Sequence, residues 1–141
     1  RPEKRYDRAL ELAGEVPLLT LGGIEPERVP LFVNAANAVL VPSEREGFGL
    51  AVLEALACQV PVLATPCGIA PEVLAGVMGA FCGAFEPAAW REALAPLLAA
   101  ADPRVEGRGH AEPYSSDRMA ERVAASWRAL TARGGRFGPR K

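Results

Sequence analysis

The chain has 141 residues, half of them hydrophobic, with 16 basic and 17 acidic side chains and a formal net charge of -1. That is enough for one domain with its own core, and the balanced charge removes the electrostatic case for a nucleic-acid or membrane-surface binder. No apolar run reaches the roughly 18 residues of a bilayer span and no secretory leader is visible, so a cytoplasmic protein is expected. The wealth of Ala, Arg, Gly and Pro leans toward a bacterium with GC-rich coding.

Arg1-Pro-Glu-Lys4-Arg leads into a predicted helix, Tyr6 to Ala13, with Ala9, Leu10, Leu12 and Ala13 as its apolar stripe and Gly14 as its stop. An α/β domain ordinarily opens with a strand, and its lack here suggests a fragment. Val16 to Gly22 reads as the next strand. Gly22-Gly23 then turns the chain, as a plain β-turn or as a close approach to a ligand, and Pro26 opens a helix to about Ala36.

The central stretch follows. Two apolar, β-branched runs, Ala38–Pro42 and Val60–Thr65, are joined by about sixteen residues. They lack the alternation of a half-wet strand, so two parallel strands covered on both faces and joined by a helix are predicted. The loop Ser43-Glu-Arg-Glu46-Gly47-Phe48-Gly49 falls at the carboxyl end of the first strand, where open α/β sheets bind ligands. Gly47 and Gly49 allow close backbone approach, and the helix that follows offers unpaired N–H groups to an anion. That helix is apolar on every side of the wheel except at Glu54. A buried carboxylate requires either a basic partner or a cleft in which ligand hydroxyls reach it. Along a helix-like path Glu46 and Glu54 would stand about 12 Å apart.

Glu46-Gly-Phe-Gly-Leu-Ala-Val-Leu-Glu54, flanked by Pro42-Ser43 and by Ala-Leu-Ala-Cys-Gln-Val-Pro-Val-Leu-Ala-Thr65, resembles the E-x7-E motif of retaining GT-B glycosyltransferases of the family 4 type. The likeness runs from about Lys4 to Leu130, and its middle third is the diagnostic part. It implies one half of a GT-B fold: an α/β, Rossmann-like parallel sheet flanked by helices, here without its first strand, that grips a nucleotide-diphosphate sugar. By that likeness Glu54 takes the ribose hydroxyls and Glu46 lies beside the transferred sugar. The amides of Phe48, Gly49 and Leu50, with Ser43 and Gly47, meet the sugar and phosphates. Lys4, in its Pro-Glu-Lys context, matches a cation that neutralises the diphosphate; read from the residues alone it is an ordinary helix-start lysine. No metal or other cofactor is expected. The acceptor would come from a separate N-terminal domain, leaving room for peripheral membrane contact in a longer protein.

Thr65-Pro-Cys-Gly68 ends the second strand and places Thr65 and Gly68 in the same crevice. Glu72 reads as a first-turn helix residue. Val77 to Gly83 is predicted as a last strand. A helix then opens at Glu86-Pro with Trp90, Leu94, Leu97 and Leu98 as core positions, a polar loop spans Asp102 to Pro113, and a final helix covers Ser116 to Ala132 with Met119, Val123, Trp127 and Leu130 on one face. This gives one donor-binding domain over residues 1–133 and a flexible basic tail over 134–141. Cys58, Cys67 and Cys82 have neither metal nor disulfide spacing and read as small buried hydrophobes; His110 has no visible partner. The leading expectation is the donor-binding half of a retaining glycosyltransferase, inactive alone. The alternative is a non-catalytic nucleotide-sugar-binding or interaction module.

Overall fold

The computed structural model describes residues 1–133, in two compact units: Arg1–Ala111, and a second beginning at Glu112. In the first, β1 (Val39–Val41), β2 (Val62–Ala64) and β3 (Phe81–Cys82) form a parallel sheet in that order. Val39 pairs with Val62 and Val41 with Ala64; Ala64 in turn pairs with Cys82. All three residues of β2 are fully buried. This is the two-sided cover that its unalternating sequence requires. Leu63 packs with Leu12 of α1 (Tyr6–Ala13) and with Trp90 and Leu94 of α5 (Pro87–Ala99). Phe81 and Phe85 meet Trp90 at ring separations of 5.7 and 5.3 Å, and the indole N–H donates to the Ala84 carbonyl at 2.9 Å. α3 (Leu50–Ala57) packs against β1 and β2, burying Val52, Leu53 and Leu56. The sheet is thus flanked by helices, as expected.

Helix ends follow local chemistry. Gly14 closes α1 at φ +55°, its N–H bonded to the Leu10 carbonyl. α3 ends in a left-handed cap with Gln59 at φ +61°: Gln59 N–H bonds Leu56 O and Val60 N–H bonds Ala55 O, both at 2.9 Å. Such a position favours glycine, and here a glutamine occupies it.

Several expected elements differ. Val16 to Gly22 is not a strand: it pairs with none of the three strands, Gly22 and Gly23 form a turn, and Val16, Leu19 and Leu21 are exposed. β-propensity without a partner strand does not make a strand, and Pro17 lacks a ladder donor. The helix from Pro26 is split into a 3₁₀ turn, Pro26–Arg28, and α2 (Val29–Asn34), because Pro30 cannot donate back and is tolerated only in a first turn. The last strand shrinks to Phe81–Cys82, since Gly76 and Gly79 take φ of +78° and +86° and turn the chain ahead of it. α4 (Ala70–Val73) carries Glu72 in its first turn, and the polar loop contains α6 (Arg108–Ala111). Leu98 stays exposed, and so does Cys82, which ends the short outer strand β3.

The second unit holds α7 (Ser116–Arg133). Arg118 bridges Glu112 at 2.9 Å and Glu121 at 3.2 Å, and its N–H reaches the Ser115 hydroxyl at 3.3 Å. The expected basic tail, 134–141, lies outside the described residues. Among the described residues, no helix is long and apolar enough to cross a membrane.

Candidate functional site

The carboxyl ends of β1 and β2 release two loops, 42–49 and 65–69, and the structure sews them together. Thr65 extends the ladder between β1 and β2. Its N–H donates to Val41 O at 3.1 Å, and its hydroxyl donates to the Ser43 carbonyl and lies 3.3 Å from Val41 O. Cys67 Sγ lies 3.4 Å from that hydroxyl and 3.5 Å from the Ser43 carbonyl. Ser43 and Thr65 are buried, so both serve first to fix where the loops begin.

Gly68 is the close contact between the loops. It holds φ +58°, and a Cβ added there would overlap the Phe48 carbonyl oxygen and stand 2.9 Å from Glu46 Cβ. Next to it, the Ile69 N–H donates to Phe48 O at 2.8 Å. Gly49, at φ +106°, caps α3, and an added Cβ would meet Ile69 Cγ2 at 3.4 Å. Beyond that cap, the N–H groups of Gly49, Leu50 and Ala51 find no backbone acceptor among the described residues. They form the electropositive helix end expected beneath the motif. Gly47 has open space around it, while Phe48 and Leu50 are exposed at the rim.

A third segment completes the arrangement. The 3₁₀ turn Pro2–Lys4 lies alongside the first loop, tied by the Glu44 N–H to the Glu3 carbonyl at 2.8 Å. Lys4 Nζ then reaches Glu46 Oε2 at 2.5 Å. The two residues are 42 apart in sequence, and only the fold brings them together. Arg5 holds Asp7 and Glu44, and Arg8 donates to the Pro42 carbonyl at 3.1 Å with its guanidinium 4.8 Å from the Phe85 ring centre. The Arg5 guanidinium holds the Asp7 carboxyl below its ordinary range, and Asp7 and then Glu44 raise Arg5 in return. Sequence reasoning missed this Arg5–Arg8–Glu44 brace. Its signal was three cations in Lys4–Arg8 facing two acids, Glu44 and Glu46, but nothing in sequence pairs them.

Glu54 is placed otherwise than expected. α3 is not buried all round: Val52, Leu53, Ala55 and Leu56 are buried, while Leu50, Ala51, Glu54 and Ala57 form an exposed stripe. The carboxylate therefore pays no burial penalty, and no ion pair or hydrogen bond holds it among the described residues. The path from Glu46 is also not helical until Leu50, so the helical spacing of the two acids does not apply. An open depression of about 670 Å³ lies beside the Lys4 turn, lined by Tyr6, Asp7, Glu44 and Arg45 among others; neither Glu46 nor Glu54 lines it.

A protein-family model described as "Glycosyl transferases group 1" matches residues 1–108. Among curated proteins, D-inositol 3-phosphate glycosyltransferase from Segniliparus rotundus is 38% identical over 119 residues, 81% of this chain and 26% of that protein. The protein so named from Gordonia bronchialis is 34% identical over 132 residues, 90% of this chain and 29% of its own length. The chain thus spans under a third of the curated relatives it matches. Sucrose-phosphate synthase from Thermosynechococcus elongatus superposes with a TM-score of 0.71 at 24% identity, covering 91% of this chain and 35% of that one, a likeness of fold.

Proposed function

The chain belongs to the group 1 glycosyl transferases, and on that premise we propose that it is the donor-binding half of a retaining enzyme of the family 4 type, acting on a nucleotide-diphosphate sugar. One observation carries this reading: a cation, Lys4, and a free helix N-terminus converge on the loop of Glu46 at the carboxyl ends of parallel strands. When the bond between the sugar and the diphosphate breaks, the electron pair leaves with the diphosphate. Lys4 Nζ and the amides of Gly49, Leu50 and Ala51 supply fixed positive charge to that leaving group. This arrangement asks for no metal ion. Glu46 lies beside the sugar. Glu54, about one turn into α3 on its exposed stripe, accepts the ribose hydroxyls. Thr65, Ser43 and Gly68 act by holding the two loops in register.

The acceptor sits on a separate domain, so the 141 residues alone bind donor weakly and transfer nothing. The names of the relatives make phosphorylated inositols the first acceptors to try with a longer protein. Melting curves of the chain with UDP-, GDP- and ADP-sugars test the reading, because a ligand specific for the folded state raises its melting temperature. A rise with one nucleotide class, lost in Glu54→Gln, supports it. No rise with any of them points to an interaction scaffold. Binding without turnover in the longer protein marks a non-catalytic nucleotide-sugar module.

A further inference from the structure

Lys4 and Glu46 neutralise one another in the free chain, with Nζ 2.5 Å from Oε2. The Glu46 side chain is only 9% exposed and that of Lys4 is 42% exposed. On the donor-binding reading, on which this inference rests, the same ammonium must face a diphosphate. We infer that Glu46 is an internal competitor for that cation, a latch that a nucleoside diphosphate must open before it can bind.

The two partners are not equally free to move. The Glu46 Cβ lies close against Gly68, where an added Cβ would stand 2.9 Å from it, and Phe48, two residues on, is tied to the Ile69 N–H. Lys4 stands at the end of one 3₁₀ turn on a flexible four-carbon stem, half in water. Opening therefore means that Lys4 swings while Glu46 stays, leaving a carboxylate beside the arriving phosphates. Arg5 cannot take the place of Lys4, because Asp7 and Glu44 already occupy its guanidinium. A protein whose competent state is only partly populated binds its ligand more weakly by that fraction. A free nucleoside diphosphate bears this loss in full, having no sugar to engage Glu46.

Calorimetric titration of the full chain with UDP, GDP, ADP and inorganic pyrophosphate tests the latch. Glu46→Gln is expected to tighten the binding of at least one nucleoside diphosphate by about three- to tenfold, the range a partly exposed charged hydrogen bond allows. Lys4→Gln should weaken binding, and the double variant should bind like Lys4→Gln alone. Should Glu46→Gln fail to fold, Glu46→Asp draws the carboxylate back by one methylene and should shift affinity the same way by less. Unchanged or weaker binding in a folded Glu46 variant overturns the latch and makes Glu46 a strut that positions Lys4, while the donor reading survives. No nucleotide binding by wild type or variant overturns both.

Discussion

Replacing Gly68 with alanine separates two costs that the structure places at one residue. At φ +58° any L side chain enters the left-handed region, which costs about 1–2 kcal/mol. The new methyl would also overlap the Phe48 carbonyl oxygen and stand 2.9 Å from Glu46 Cβ and 3.0 Å from the Phe48 carbonyl carbon. These neighbours are a loop backbone and a Cβ, which cannot rotate aside, so overpacking adds about 1–3 kcal/mol. Gly23→Ala is the internal control. Gly23 sits at φ +74° with nothing within 4 Å, and so bears the first cost alone. Urea denaturation of the full chain should therefore place Gly68→Ala at least about 1 kcal/mol below Gly23→Ala. Gly68→Ala should also weaken nucleotide-sugar binding more, since it moves the loop that carries Glu46. Equal destabilisation by the two substitutions would refute the claim that the loops are locked through Gly68.

Other substitutions probe the frame of the site. Gln59→Gly should stabilise the chain by about 1 kcal/mol in the same denaturation assay, because Gln59 holds φ +61° in the cap of α3. Trp90→Ala should cost about 3–5 kcal/mol, since the ring is fully buried between Phe81 and Phe85; Trp90→Phe should cost less, losing chiefly the bond to Ala84 O. Asp7 has a folded pKa lowered from 3.8, first by its hydrogen bonds to Arg5, so its contribution is present above the unfolded value and lost as pH falls through the folded one. Melting temperatures taken below about pH 5 should accordingly fall less steeply in Asp7→Asn than in the wild type.

Much of the frame was legible because burial leaves a pattern. The unalternating runs around Val39–Val41 and Val62–Ala64 suited strands covered on both faces better than strands with one wet side, and the two are parallel neighbours, β2 fully buried and Val39 and Leu40 of β1 half-buried. Tyr6–Ala13 announced its Gly14 stop and its limits agree with the observed helix; of its stripe Ala9, Leu12 and Ala13 are buried, while Leu10 is exposed. Val16–Gly22 misled because a strand depends on a partner, which local sequence does not reveal. α3 misled for a different reason: Ala51 and Ala57 are apolar in composition yet small enough to face water at little cost, so the wheel looked buried on every side. The motif singled out Glu46, Gly49 and Glu54, but not the 42-residue contact from Lys4 or the brace of Arg5 and Arg8 on Glu44. Those contacts exist only once the sheet has set the Pro2–Lys4 turn beside the loop.

The donor reading is tested most directly at Glu54, which lies open on the exposed stripe of α3 and is proposed to hold the ribose of a nucleotide sugar. Isothermal titration of the chain with a single series of UDP-, GDP- and ADP-sugars, run in parallel on Glu54→Gln, measures this directly. The account predicts saturable binding of one nucleotide class by the wild type, weakened at least about tenfold in Glu54→Gln, in line with the loss of a charged hydrogen bond. Equal affinity in the two proteins would contradict it.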